Sequence, residues 1–80
     1  MFTKTGPNTV QSCDGFKVAI VRRFELRYED RNGGVTVPIE PMEDGELVVS
    51  ASTILGDRRA ELRDRISAAL DFLGILHRFD

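Results

Sequence analysis

Few side chains of this sequence could carry out catalysis. It has one cysteine, Cys13, and one histidine, His77. Nucleophilic catalysis needs a Ser, Cys or Thr beside a base that a further group orients, and the sequence places no orienting group near His77. We interpret His77 as a solvated residue and Cys13 as a half-buried strand residue, so no catalytic residue is predicted. The alternative is an enzyme site shared between protomers, where His77 of one copy meets carboxylates of another.

Metal and cofactor sites are not indicated either. A structural zinc ion needs about four Cys or His ligands, and the whole chain has two such residues. No glycine-rich motif of the kind that cradles phosphates occurs. We therefore predict that the protein binds no metal and no cofactor.

The middle of the chain is strongly acidic. Residues 32–57 carry five anions and no cation, whereas residues 1–31 and 58–80 have net charges of +2 and +1. Clustered charge of one sign speeds encounter with a partner of opposite charge, while the regular ligand alternation of a calcium loop is missing here. We predict that four of these carboxylates bind another protein: Glu40, Glu43, Asp44 and Glu46.

Two arginines lie where a helix is predicted to begin. Arg58 and Arg59 fall in its first turn, where the helix dipole disfavours cations. A bound anion, either a phosphate or an acidic side chain, would relieve this conflict and gives the pair an alternative role in anion binding. We favour the simpler interpretation, in which Asp57 and Glu61 neutralise the two arginines locally.

A second group of arginines alternates with aromatic residues, as in a sheet that stacks single-stranded bases. The group consists of Arg22, Arg23, Arg27 and Arg31. Proteins that grip a phosphate backbone are normally strongly basic, whereas this chain has a net charge of −2. The alternation also predicts that Phe24 and Tyr28 share a core face with Leu26. A nucleic-acid-associated or regulatory domain is therefore the alternative to protein binding.

The first half of the chain is predicted to form strands, which would position the arginines of this second group. We expect a loose lead-in over residues 1–8, a strand near residues 9–13, and a turn at Asp14-Gly15. Apolar side chains then keep a period of two over residues 16–29. This period predicts either one long bent strand, which we favour, or two strands that meet at residues 21–23.

Two more strands are indicated beyond that region. Asn32-Gly33 favours a tight hairpin turn, and the returning strand over residues 35–40 contains Pro38, which cannot donate a ladder hydrogen bond and indicates an edge or a bulge. A turn at residues 41–45 precedes a strand over residues 46–52. The sequence thus predicts an antiparallel meander of four to five strands.

The apolar period becomes helical over residues 58–73. Asp57 is predicted to cap this amphipathic helix, and Gly74 to end it in a left-handed turn. Residues 75–79 form either a terminal strand or a docked tail. The predicted fold is α+β, with the meander packed on one C-terminal helix. A partner would bind the uncovered sheet face or an edge, and an edge also offers a route to a homodimer.

Length and composition limit the remaining choices. A chain of 80 residues is too short for a cleft between two lobes, and we expect one domain over residues 9–80. A single cysteine argues against a disulfide-stabilised secreted domain, and no signal-peptide core or membrane-spanning run is visible. We therefore expect a cytoplasmic protein that does not contact membranes.

Segments spread over residues 16–76 form a recognisable combination. They are residues 24–30 (FELRYED), 35–40 (VTVPIE), 48–54 (VVSASTI) and 62–75 (LRDRISAALDFLGI). This combination resembles the small family called immunity protein 74, which occurs with bacterial polymorphic toxin systems. The resemblance implies a small, non-enzymatic bacterial protein that binds and neutralises a cognate toxin in the cytoplasm. The acidic segment indicates that such a toxin domain would be basic.

Overall fold

A computed structural model describes residues 1–50, 52, 54 and 56–80, and it shows a curled sheet with one helix. Seven strands lie in the sheet in chain order. The elements are β1 (Phe2–Gly6), β2 (Thr9–Ser12), β3 (Lys17–Arg22), β4 (Glu25–Asp30), β5 (Gly33–Pro41), β6 (Leu47–Val49), α1 (Arg59–Phe72) and β7 (His77–Phe79). The predicted α+β class is confirmed, whereas four to five strands were too few.

The first eight residues are not a loose lead-in. β1 pairs with β2 in antiparallel register, from Phe2 opposite Ser12 to Gly6 opposite Thr9. Between them Asn8 adopts a φ of +52°, a left-handed conformation that Asn tolerates better than most residues. The Gly-Pro-Asn sequence therefore marks a hairpin turn, and the prediction failed because the same residues are common in both turns and unstructured segments.

Residues 16–29 form two strands rather than the single bent strand that the period favoured. β3 and β4 make an antiparallel hairpin in which Val18 faces Tyr28 and Ile20 faces Leu26, and the register shifts near residue 21. In this hairpin even-numbered residues pair with even-numbered residues. The apolar side chains on the buried face therefore have even numbers in both strands. A hairpin of this register therefore gives the same period of two in the sequence as one long strand would.

The predicted hairpin between residues 30 and 34 is confirmed, but its two turn residues are Arg31 and Asn32 rather than Asn32 and Gly33. Asp30 pairs with Gly33, and Gly33 has a φ of +122°, which a residue with a Cβ rarely adopts. β5 is an interior strand: its residues up to Pro38 pair with β4, and those from Ile39 pair with β6. Pro38 lies where the β4 ladder ends, which is a position that tolerates its missing N–H.

α1 covers the inner face of the sheet. Its buried residues are Leu62, Ile66, Ala69 and Leu70. They pack with buried strand residues that include Val10, Val18, Leu26, Tyr28, Val37, Ile39 and Val49. Phe24 was predicted to join this core, but it is 56% exposed. The prediction was wrong because residue 24 belongs to the β3–β4 turn, where alternation no longer fixes the direction of a side chain.

The helix begins without the predicted cap and ends as predicted. Arg58 is the residue before the first turn, and no side chain caps it, so Asp57 does not have the expected role. At the other end Gly74 has a φ of +74°. The N–H groups of Gly74 and Ile75 donate to the carbonyls of Asp71 and Leu70, which is the Schellman pattern of helix termination.

The last strand runs parallel to its neighbour. β7 pairs with β6, with Leu47 opposite His77 and Val49 opposite Phe79. The alternative of a terminal strand is therefore the correct one for residues 77–79. β6 is shorter than the strand expected over residues 46–52, and residue 51 lies outside the described residues. Because a parallel pair needs a crossover, α1 serves as the connection between β6 and β7.

Replacement of Gly74 by Ala is expected to lower the free energy of unfolding by about 1 kcal/mol, because Cβ disfavours the left-handed conformation. Gly6→Ala is the matched control, since Gly6 has no positive φ and an added Cβ would have only Thr9 atoms at 3.9 Å. Urea denaturation measures both variants. Equal destabilisation by the two substitutions would contradict the assigned role of Gly74.

Candidate functional site

The four acidic residues singled out by the sequence line one surface depression. We call this depression, together with Pro41, Met42 and Arg78, the acidic hollow. Its volume is about 500 Å³. It forms where β5 ends, the chain turns, and β6 begins, so most of its lining comes from one continuous segment. Four carboxylates and one guanidinium give the hollow a formal charge of −3.

The turn that carries these carboxylates is held by its own backbone. The Met42 N–H donates to the Glu46 carbonyl at 2.8 Å, and the Gly45 N–H donates to the Met42 carbonyl at 3.0 Å. The Asp44 carboxylate accepts a further hydrogen bond from the Glu46 N–H at 2.9 Å. The carboxylates therefore project from a defined turn, which reduces the conformational entropy that binding would have to remove.

One carboxylate of the hollow is already paired. Arg78 Nε lies 3.1 Å from Glu46 Oε1, and the parallel register of β7 brings Arg78 opposite Val48. The sequence did not indicate Arg78 as part of this site, because no local pattern predicts that β7 pairs in parallel with β6 on the other side of the helix in the chain. Among the described residues, Glu40, Glu43 and Asp44 have no ion-pair partner within 4.0 Å.

The hollow also has an apolar part. Met42 is 39% exposed and lies beside Pro41. Lysine and arginine side chains combine a charged head with an aliphatic stem. The hollow offers carboxylates to such a head and the methionine and proline surface to its stem.

The arginines at the helix start are engaged within the molecule. Arg58 donates to Asp30 and to Glu61, and Arg59 Nε donates to the Ile54 carbonyl at 2.8 Å. Glu61 thus neutralises Arg58 as expected, while Asp30 replaces Asp57 as the second acidic partner. The alternative anion-binding role of Arg58 and Arg59 would require these bonds to break.

Asp30 is the centre of a network that the sequence did not reveal. Its side chain is 5% exposed and accepts hydrogen bonds from Tyr28 Oη at 2.8 Å and from the Asn32 N–H at 2.8 Å. Arg65 donates to Tyr28 Oη at 2.7 Å and lies 3.5 Å from Asp30. The hydrogen bonds from Arg58 and Tyr28 lower the pKa of Asp30 to about 2, so the carboxylate stays ionised.

His77 is not the solvated residue that the sequence suggested. Its side chain is 8% exposed, with Nδ1 2.9 Å from the Ile75 carbonyl and Nε2 2.8 Å from Ser67 Oγ. A carbonyl only accepts, so Nδ1 carries a proton and donates to Ile75. The Ser67–His77 contact joins α1 to β7.

The arginines of the nucleic-acid alternative are spread along β4 and are interleaved with carboxylates, since Arg27 lies between Glu25 and Glu29 on the outer face of the strand. Arg22 and Arg23 precede β4 and Arg31 follows it, so they lie at opposite ends of a six-residue strand that spans about 20 Å. Between them Arg27 Nη1 donates to Thr36 Oγ1 at 3.2 Å.

The side chain of Cys13, expected to be half buried, is exposed.

We also searched the part of the chain that the structure describes for metal sites and for membrane-spanning helices. There, no three His, Cys, Asp or Glu side chains are grouped so that they could hold a metal ion. No helix of the described residues has the length and apolar character needed to cross a membrane. Comparison with known proteins gave no match to a family model, to a curated protein or to a solved structure.

The Asp30 network makes stability depend on acid pH. The folded-state pKa of Asp30 is lowered from 3.8 to about 2, so its contribution is complete above pH 4 and is lost as pH falls towards 2. Asp30→Asn is expected to unfold at lower urea concentration at pH 7, with a difference from wild type that narrows between pH 4 and 2. Asp64→Asn, at an exposed position, is the control. A difference that stays constant over this range would refute the assignment.

Proposed function

We propose that this chain is a non-enzymatic protein-binding module that receives a basic segment of another protein in the acidic hollow. The proposal is supported by the convergence of Glu40, Glu43, Asp44 and Glu46 on one depression. A convergent set of carboxylates offers several charge-assisted hydrogen bonds to one cationic segment. It also attracts that segment at long range, which raises the association rate.

Arg78 supports the same proposal from within the chain. Its guanidinium pairs with Glu46 while its side chain remains 60% exposed. An exposed pair of this kind contributes little to stability. A partner arginine or lysine can therefore share or replace this contact at low cost.

The resemblance to the immunity protein 74 family narrows the proposed partner to a toxin domain of bacterial origin, and the charge of the acidic hollow requires that domain to be basic. An immunity protein acts by covering a toxin, so it needs a recognition surface and no reactive group. The proposal places the chain in the cytoplasm, where such a toxin would have to be neutralised. The nucleic-acid alternative is the weaker one, because Glu25 and Glu29 lie among these arginines on β4 and a phosphate backbone is bound by clustered positive charge.

Neutralising two carboxylates should weaken binding of a basic peptide. The variant E43Q/D44N keeps the side-chain oxygen that accepts from the Glu46 N–H, so the turn is preserved. Loss of two charges is expected to weaken binding of a fluorescent hexa-arginine peptide about tenfold at low salt, equivalent to about 1.4 kcal/mol. Fluorescence anisotropy titration measures the change.

The double variant D57N/D64N is the matched control, because it removes the same charge at exposed positions outside the hollow. We expect its affinity for the peptide to stay within about twofold of wild type. If both variants lose affinity equally, the peptide senses only net charge, and the hollow is not the binding site.

A further inference from the structure

The end of β3 and the turn that leads to β4 form an exposed patch that is both apolar and basic. We call residues 21–24 the basic tip. Val21 is 53% and Phe24 is 56% exposed. The side chain of Arg22 is 78% exposed, and the Arg23 guanidinium lies 5.5 Å from the centre of the Phe24 ring. Aromatic residues and arginine are the residues most enriched in the buried centres of protein interfaces.

The basic tip lies next to the acidic hollow. The Ile39 N–H donates to the Phe24 carbonyl at 3.0 Å, and Glu40, the first residue of the hollow, follows Ile39 directly. Three of the six exposed large hydrophobic side chains in the described part of the chain belong to these two patches: Val21, Phe24 and Met42. One end of the sheet thus carries two neighbouring patches of opposite charge, each with exposed apolar surface.

The charge of the neighbouring acidic hollow limits which partners can bind the basic tip. The neighbouring hollow has a formal charge of −3, so it repels a phosphate backbone or an anionic bilayer that approaches Arg22 and Arg23. The partner must instead present carboxylates to the tip and tolerate cations near the hollow. The same end of a second copy of this chain meets both requirements.

We propose that this end of the sheet is self-complementary and that two copies of the chain associate through it about a two-fold axis. A two-fold axis brings each patch of one copy onto the other patch of its partner, so the tip–hollow contact forms twice. A hollow of about 500 Å³ has room for a phenyl ring, and Met42 supplies an apolar contact for it. Arg22 is free to form new pairs, because its exposed contact with Glu25 is 3.9 Å long and weak.

This dimer would cover the acidic hollow. A basic partner protein would therefore compete with the second copy, and partner binding would convert dimers into monomeric complexes. The dimer itself does not depend on the existence of that partner, so the inference goes beyond the proposed function.

Complementary charge reversal tests the arrangement. In R22E/R23E both patches become acidic, and in E43K/D44K both become basic. Each variant alone is expected to sediment as a monomer at concentrations where wild type dimerises, with a dimer dissociation constant raised at least about tenfold. An equimolar mixture is expected to form a heterodimer, since each tip then faces a hollow of opposite charge. Sedimentation velocity measures all three samples.

The controls separate this interface from others. K4E/K17E changes charge by the same amount as R22E/R23E at exposed strand positions and should dimerise like wild type. Phe24→Ser should weaken the dimer without any charge change, with circular dichroism used to confirm that each variant is folded. A wild type that stays monomeric, or a mixture of the two charge-reversed variants that does not associate, would overturn the proposal.

The outcome is independent of the hexa-arginine experiment. R22E/R23E and Phe24→Ser leave the carboxylates of the hollow unchanged, so both should still bind the peptide. Loss of the dimer with retained peptide binding supports both proposals. A monomeric wild type that binds the peptide overturns only the dimer.

Discussion

The contacts of Asp30 with Arg58, which directly precedes α1, and with Arg65 of α1 hold the helix beside the end of β4. A carboxylate whose side chain is 5% exposed is costly to leave unpaired, so the start of the helix must bring Arg58 and Arg65 to the end of β4. With that end fixed, α1 covers the inner face of the sheet. The Gly74 turn then returns the chain beside β6, and Arg78 of β7 comes into contact with Glu46. The contact between Arg78 and Glu46 completes the acidic hollow. It lies beyond the C-terminal end of α1, whereas the contacts of Asp30 hold the N-terminal part of the helix.

The sequence predicted what is encoded locally. The hairpin between β4 and β5, the helix and its glycine termination each depend on neighbours a few residues away, and each is present. The carboxylates of the hollow could be grouped in advance because they lie within seven consecutive residues. Contacts between distant segments could not be predicted. Asp30 and Arg58 are 28 residues apart, and no periodicity specifies which arginine meets which carboxylate.

The failed predictions also have physical causes. A hairpin in which equal parities face each other gives the same alternation as one continuous strand, so residues 16–29 were ambiguous by periodicity alone. Phe24 shared the parity of the core residues but lies in the turn. The lone histidine looked solvated because no pattern in the sequence indicates its contacts with Ser67, ten residues before it, and with the Ile75 carbonyl, two residues before it.

The length of β5 explains why two charged patches lie together. Six residues of this nine-residue strand pair with β4 and the remaining three pair with β6, so the two partner strands meet β5 at successive positions along it. Pro38, with no N–H to donate, lies at the change of partner. Because the β4 ladder stops there, the turn that precedes β4 is left beside Ile39, directly before the acidic segment begins. Opposite charges that are separated in the chain by more than fifteen residues are therefore neighbours on the surface, and this arrangement follows from the strand pairing as much as from the residues themselves.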